Sequence, residues 1–106
     1  MAVDRANLPE GLLSVIKNYL QIFWSDPATD DRVTNITAGG MVYLNTKLGT
    51  EADYTVDGLP RNLLMDYCRY ARDGALDVFE NNYLALILAA RDEIAIAAAA
   101  AQGAGT

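Results

Sequence analysis

Asp26, Asp30 and Asp31 stand close enough in sequence to raise the question of a cation site. A calcium loop needs alternating oxygen ligands, a glycine at its sharp turn and a closing glutamate, and this spacing lacks them. Acids that cap and complement the start of a helix explain the cluster better. Glu51, Asp53 and Asp57 fall in one segment, where a solvated acidic turn accounts for them better than an acid/base pair. Cys68 is the single cysteine, and the chain has no histidine to activate it. It reads as a small buried thiol. Gly39-Gly40 is not followed by the Lys-Ser/Thr pair of a phosphate-binding loop. Arg69 and Arg72, set among tyrosines, have the makings of a platform for stacked bases. Asp66, Asp73, Asp77 and Glu80 cancel that field, so core and interface tyrosines are the better reading. No catalytic, cofactor-binding or metal-ligating residue emerges, and no cofactor is expected.

The totals point the same way. A chain of 106 residues makes one small domain, able to bury roughly two-thirds of its unfolded surface. With 52% hydrophobic and 21% charged residues it is globular in composition. The net charge is -6 and the pI about 4.3, so no basic face for phosphates stands out. Acidic balance favours protein partners, or DNA that must pass without adhering. One cysteine permits no internal disulfide and fits a reducing compartment. The opening "MAVDRANLPEG" does not read as a signal peptide. Arg91, Asp92 and Glu93 interrupt the apolar run from Tyr83 to Ala101. Each would cost about 2.5–3.5 kcal/mol at a bilayer centre, so no membrane span is expected.

The elements that must position these residues are helical. Asn7 and Glu10 form a plausible capping box. Leu12, Ile16, Tyr19, Leu20 and Phe23 then make one apolar stripe, so the spacing predicts a helix over about Leu8 to Ile22. Ser25 or Asp26 caps a second helix from about Ala28 to Leu48, closed by Lys47 and Gly49. Its stripe is Val33, Ile36, Gly40, Leu44 and Leu48, with Gly39-Gly40 marking a close helix crossing or a bend. "TEADYTVDG" reads as a long acidic loop. Leu59-Pro60 opens a third helix with Leu63, Leu64, Tyr67, Ala71, Ala75, Val78 and Phe79 inward. Cys68, Tyr70 and Leu76 widen its apolar arc, which suits either a helix packed on both sides or a second partner surface. Asn81 and Asn82 kink or cap the chain before a fourth helix from about Tyr83. The alanine-rich end is expected to fray and "QGAGT" to be loose. The fold class is therefore all-α, a small bundle of about four helices, with a helical domain over 1–94 and a tail over 95–106.

Three stretches in this order, "NYLQIFWSDPATDDRV", "GGMVYLNTKLG" and "GLPRNLLMDYCRYARDGALDVFENNY", resemble the head-tail connector proteins of tailed bacteriophages, also called adaptor or head-completion proteins. The resemblance covers about Leu8 to Glu93 and lies in order and helix pattern, without a catalytic motif. It implies a small helical subunit of the virion neck, assembled in the host cytoplasm. Copies would form a homo-oligomeric ring, dodecameric on the portal protein, that extends the DNA channel and receives a stopper or tail-completion protein. Genomic DNA would pass without specific binding. Under that reading Tyr70, Arg69, Arg72, Asp73 and Asp77 are expected near the subunit interface. Glu51, Asp53 and Asp57, or the acids from Asp26 to Asp31, would face the channel. The tail, with Ile94, Ile96 and Gln102, would reach the portal.

The rival readings are a DNA-packaging or regulatory helical protein, a small helical enzyme, and a stopper or tail-completion protein. The first needs a basic recognition helix, and the second a reacting constellation. The third is commonly richer in strands than this chain.

Overall fold

The structure, a computed structural model, describes residues 3–104. It contains α1 (Leu12–Tyr19), α2 (Pro27–Leu48), α3 (Leu59–Arg72) and α4 (Leu76–Ala104), and no strand among the described residues. The final two residues of the expected loose tail lie outside the described residues; Gln102 is helical.

Helix α1 is shorter than its apolar stripe suggested. The Asp4 carboxylate accepts from the Ala6 N–H at 2.9 Å and from the Asn7 side-chain amide at 3.1 Å. Asn7 is thus engaged in an upstream turn, and the expected capping box does not form. The helix begins instead after Gly11, whose φ is 81°. It ends early because Gln21 adopts φ 62°. The Ile22 N–H reaches back to the Lys17 carbonyl at 2.9 Å, and the Gln21 N–H to Asn18 at 3.1 Å. That pair of bonds is a Schellman closure, here with glutamine where glycine is usual. The reversal keeps Ile22 in the core and turns the next residue out. Phe23, expected on the buried stripe, is 76% exposed.

Helix α2 follows expectation closely. The Asp26 carboxylate accepts from the Thr29 N–H at 3.1 Å, Pro27 occupies the first turn, and Gly49 closes the helix at φ 77°. Gly40 permits a close crossing with α3. A Cβ there would lie 2.6 Å from Tyr67 Cδ1 and 2.8 Å from Leu64 Cδ1. Gly40→Ala is therefore expected to destabilise by about 1–3 kcal/mol through overpacking, offset in part by a helix-propensity gain of about 1 kcal/mol. A lowered urea midpoint checks this; an unchanged or raised one removes the steric argument.

Helix α3 ends at Arg72, not beyond Phe79 as its apolar spacing suggested. Gly74 takes φ 71°. The Ala75 N–H bonds the Tyr70 carbonyl at 2.8 Å and the Gly74 N–H bonds Ala71 at 3.2 Å. This second Schellman closure restarts the helical phase. Phe79 remains inward at 1% exposure, while Val78, expected inward, turns to solvent. Asn81 and Asn82, expected at a break, lie inside α4.

The core joins all four helices: Leu12 and Ile16 of α1, Leu44 and Leu48 of α2, Leu63, Leu64 and Cys68 of α3, and Phe79, Ile87 and Ala90 of α4. Residues 49–58 connect α2 to α3 around buried Tyr54. Its hydroxyl donates to Asn45 Oδ1 at 2.7 Å, and the same oxygen accepts the Ala52 N–H at 3.1 Å. Helix α4 has 29 residues, about 43 Å at the α-helical rise, in a molecule 51 Å along its longest axis. Its last core contact is half-buried Ile94. Ala95 through Gln102 are all exposed and helical, so the segment expected to fray continues the helix away from the body as an arm.

Candidate assembly surface

The block from Asp66 to Tyr83 folds first against its own chain. Phe79 is its hub. It stacks on Tyr83 at 4.6 Å between ring centroids and meets Tyr70, Tyr67 and Tyr43 edge-on at 5.5, 5.4 and 6.1 Å. Such geometries add to the burial of each ring. Burial pushes the Tyr83 hydroxyl up to about 12, so that hydroxyl is a neutral hydrogen-bonding group at physiological pH.

The expected interface charges surround this cluster, and some are occupied within the chain. The Arg69 guanidinium lies 5.3 Å from the centre of the Tyr70 ring, donates to the Tyr83 hydroxyl at 3.3 Å and stands 3.9 Å from Asp66. Asp66 also accepts from the Tyr19 hydroxyl at 2.5 Å, which ties α1 to α3 and raises the tyrosine's pKa. Arg72 donates to the Leu20 carbonyl at the end of α1. Asp73 sits in the α3–α4 turn and Asp77 in the first turn of α4, both exposed. Tyr70 and Arg69 are thus brought together, while Arg72 serves the fold.

Glu80 closes the opposite edge of the cluster. It accepts from Lys47 at 2.7 Å and from the Tyr43 hydroxyl at 2.8 Å. These contacts, Lys47 foremost, hold its carboxyl below the usual range of about 4.5. A depressed folded-state pKa gives stability that is present above the unfolded value and lost as pH falls through the folded one. Glu80→Gln is therefore expected to lower stability near neutrality and to flatten its decline below about pH 4.5. Urea melts across that range check the slope, and parallel curves for the two proteins would contradict the linkage.

The loop acids Glu51, Asp53 and Asp57 are all exposed. Asp53 accepts from the Thr55 N–H and hydroxyl, which lowers its pKa, and Asp57 pairs with Arg61 at 3.3 Å. Asp26 is a helix cap, and Asp30 bonds Lys17 at 2.7 Å. Among the described residues no group of three or more His, Cys, Asp or Glu side chains could hold a metal. Cys68 is fully buried beside the Thr37 hydroxyl at 3.7 Å, and burial pushes its thiol up to about 11. A hollow of about 470 Å³ lies along α1 between Arg5 and Lys17. Arg5 there bonds Asn35 Oδ1 at 2.8 Å and Lys17 bonds Asp30, so its cations already have partners. No described helix is long and apolar enough to cross a membrane.

Two features were missed from the sequence. Phe23 and Trp24 form an exposed aromatic pair at the α1–α2 corner. The only cue was the proline-bearing stop immediately after them. Leu84, Leu86 and Leu88 stand exposed along α4, followed by Ile96 at 69%. A helix apolar on every side normally lies within protein, so this pattern was readable from Leu84 onward. Of the expected tail contacts, Ile94 packs on the core, while Ile96 and Gln102 are exposed. Comparison with known protein families, with curated proteins and with solved structures found no match to this chain.

Proposed function

We propose that the chain is a non-enzymatic structural subunit of a tailed-phage neck, acting by self-assembly into a ring beneath a portal protein. The observation that carries this reading is α4. It exposes Leu84, Leu86 and Leu88 over the body and then runs on as an apolar arm that its own chain does not cover. Leaving that surface in water is unfavourable, and burying it against other protein is the physical remedy. A ring requires a heterologous contact, one face of each copy meeting a different face of the next. In this reading the rim of Tyr70, Asp73 and Asp77 lies near the neighbour. The acidic loop 49–58 presents Glu51, Asp53 and Asp57 toward a channel whose negative field keeps DNA phosphates from adhering. The end of the arm, with Gln102, reaches the portal, and a stopper or tail-completion protein docks on the far side.

Native mass spectrometry with negative-stain imaging, with and without the cognate portal protein, tests the proposal. A ring alone or on the portal is the expected result. A persistent monomer or dimer that ignores the portal overturns it, and salt-sensitive DNA binding by that monomer would favour a packaging or regulatory role.

A further inference from the structure

At the α1–α2 corner a cleft of about 150 Å³ opens between the α1–α2 connection, α2 and the end of α3. Its walls are Ile22, Trp24, Val33 and Ile36, and Arg32 and Arg72 stand at it. A cavity of about that size accepts a group as large as benzene. Trp24 is 54% exposed, and a half-exposed tryptophan beside an apolar hollow is the kind of anchor that dominates interface energetics. Arg32 is exposed and makes no ion pair or side-chain hydrogen bond among the described residues. The site is thus apolar in the middle and cationic at its edge.

The arm carries the inverse arrangement. Ile96 projects 69% exposed. Asp92 and Glu93, four and three residues before it, flank it on the helix surface and are also exposed. An apolar knob between two carboxylates matches an apolar hole bordered by two guanidiniums, in shape class and in sign of charge.

We infer that Ile96 of one copy, flanked by Asp92 and Glu93, seats in the Trp24 cleft of the next copy, with Arg32, unpaired among the described residues, facing the two acids. The contact is between copies. The cleft borders the end of α3, a short turn away from Leu76, whereas Ile96 lies about 30 Å further along the axis of α4. An arm cannot reach its own cleft without breaking its helix. Knob and hole therefore lie well apart on one molecule, and each copy offers one of each. That is a heterologous contact, which propagates from copy to copy and closes where its rotation allows. The inference rests on the self-assembly reading and names the contact that would build it. It leaves the last turn of the arm, with Gln102, for the portal.

The test uses the full chain. Sedimentation velocity from about 1 µM to about 1 mM is run on wild type, Ile96→Glu, the double variant D92R/E93R, and Arg32→Glu. Arg72 is left alone because it holds the Leu20 carbonyl. The substituted residues are exposed, and thermal midpoints close to wild type verify that each variant folds. Ile96→Glu is expected to weaken association at least about tenfold, the cost of losing one buried aliphatic side chain. D92R/E93R and Arg32→Glu are each expected to weaken association and to make it less salt-dependent in the wild-type sense. Mixing these two is expected to restore it, because each arm then finds a cleft whose position 32 carries the opposite charge. Wild-type association that is unchanged in Ile96→Glu, or charge-reversed variants that are not rescued by mixing, overturns this contact while leaving a ring built on another face. A wild type that stays monomeric throughout also overturns it, and the portal experiment then decides the ring separately.

Discussion

Deleting residues 96–106 is expected to abolish self-assembly and leave the folded subunit nearly as stable as before. The residues from Ile96 through Gln102 are all exposed, so their loss removes no side chain from the core. Surface changes of this kind stay within about 0.5 kcal/mol, which in a domain this size shifts the thermal midpoint by no more than about 4 °C. Helical circular dichroism should fall by the turns removed, since residues 96 through 102 are helical. Assembly should fail because the deleted segment contains Ile96 and the apolar surface beyond it. Native mass spectrometry and a thermal melt on the same sample read both halves of the expectation. Rings from the shortened chain would show that the arm is dispensable. A collapse of the melt would show that it belongs to the fold.

Phe79→Ala is expected to do the reverse, striking stability first. The ring is buried at 1% exposure and touches four tyrosines drawn from α2, α3 and α4. Removing a buried phenylalanine costs about 3–5 kcal/mol, the transfer of the lost atoms plus the cavity they leave. Domains of this size hold about 5–15 kcal/mol in total, so about a fifth of the stability or more is at risk. The expected readout is a large drop in urea midpoint with little change in slope. Phe79→Leu, which keeps the site apolar and refills part of the cavity, should fall between the two. A loss below about 1 kcal/mol would mean that the tyrosines close over the gap and that the cluster is not a rigid hub. The pair of experiments separates roles: the arm acts between molecules, the aromatic hub within one.

The residues that sequence reading placed well are those whose neighbours along the chain already satisfy them. Asp26 caps α2 through Thr29, three residues away, and Gly49 ends it through Asn45. Leu12, Ile16, Leu44, Leu48, Leu63 and Leu64 are buried because their spacing puts them on one side of a helix. The end of α3 was legible too, in Arg72-Asp73-Gly74, a basic last turn followed by glycine; the apolar run through Phe79 outweighed that signal. Arg72 was harder. Its partner is the carbonyl of Leu20, 52 positions away in the chain, and no local pattern announces that contact.

For Gly39-Gly40 the amino-acid sequence by itself left a close crossing or a bend; it determined an all-helical chain, the span of α2 and the burial of Cys68. Each of these follows from periodicity, a cap or the size of one side chain. Tertiary structure alone decided which charges of the Asp66–Tyr83 block are engaged within the chain, that Phe23 and Trp24 face outward beside a cleft, and that α4 outruns the body. Those outcomes depend on where distant segments meet. Exposure is a property of what a surface fails to touch, and only the packed chain defines that.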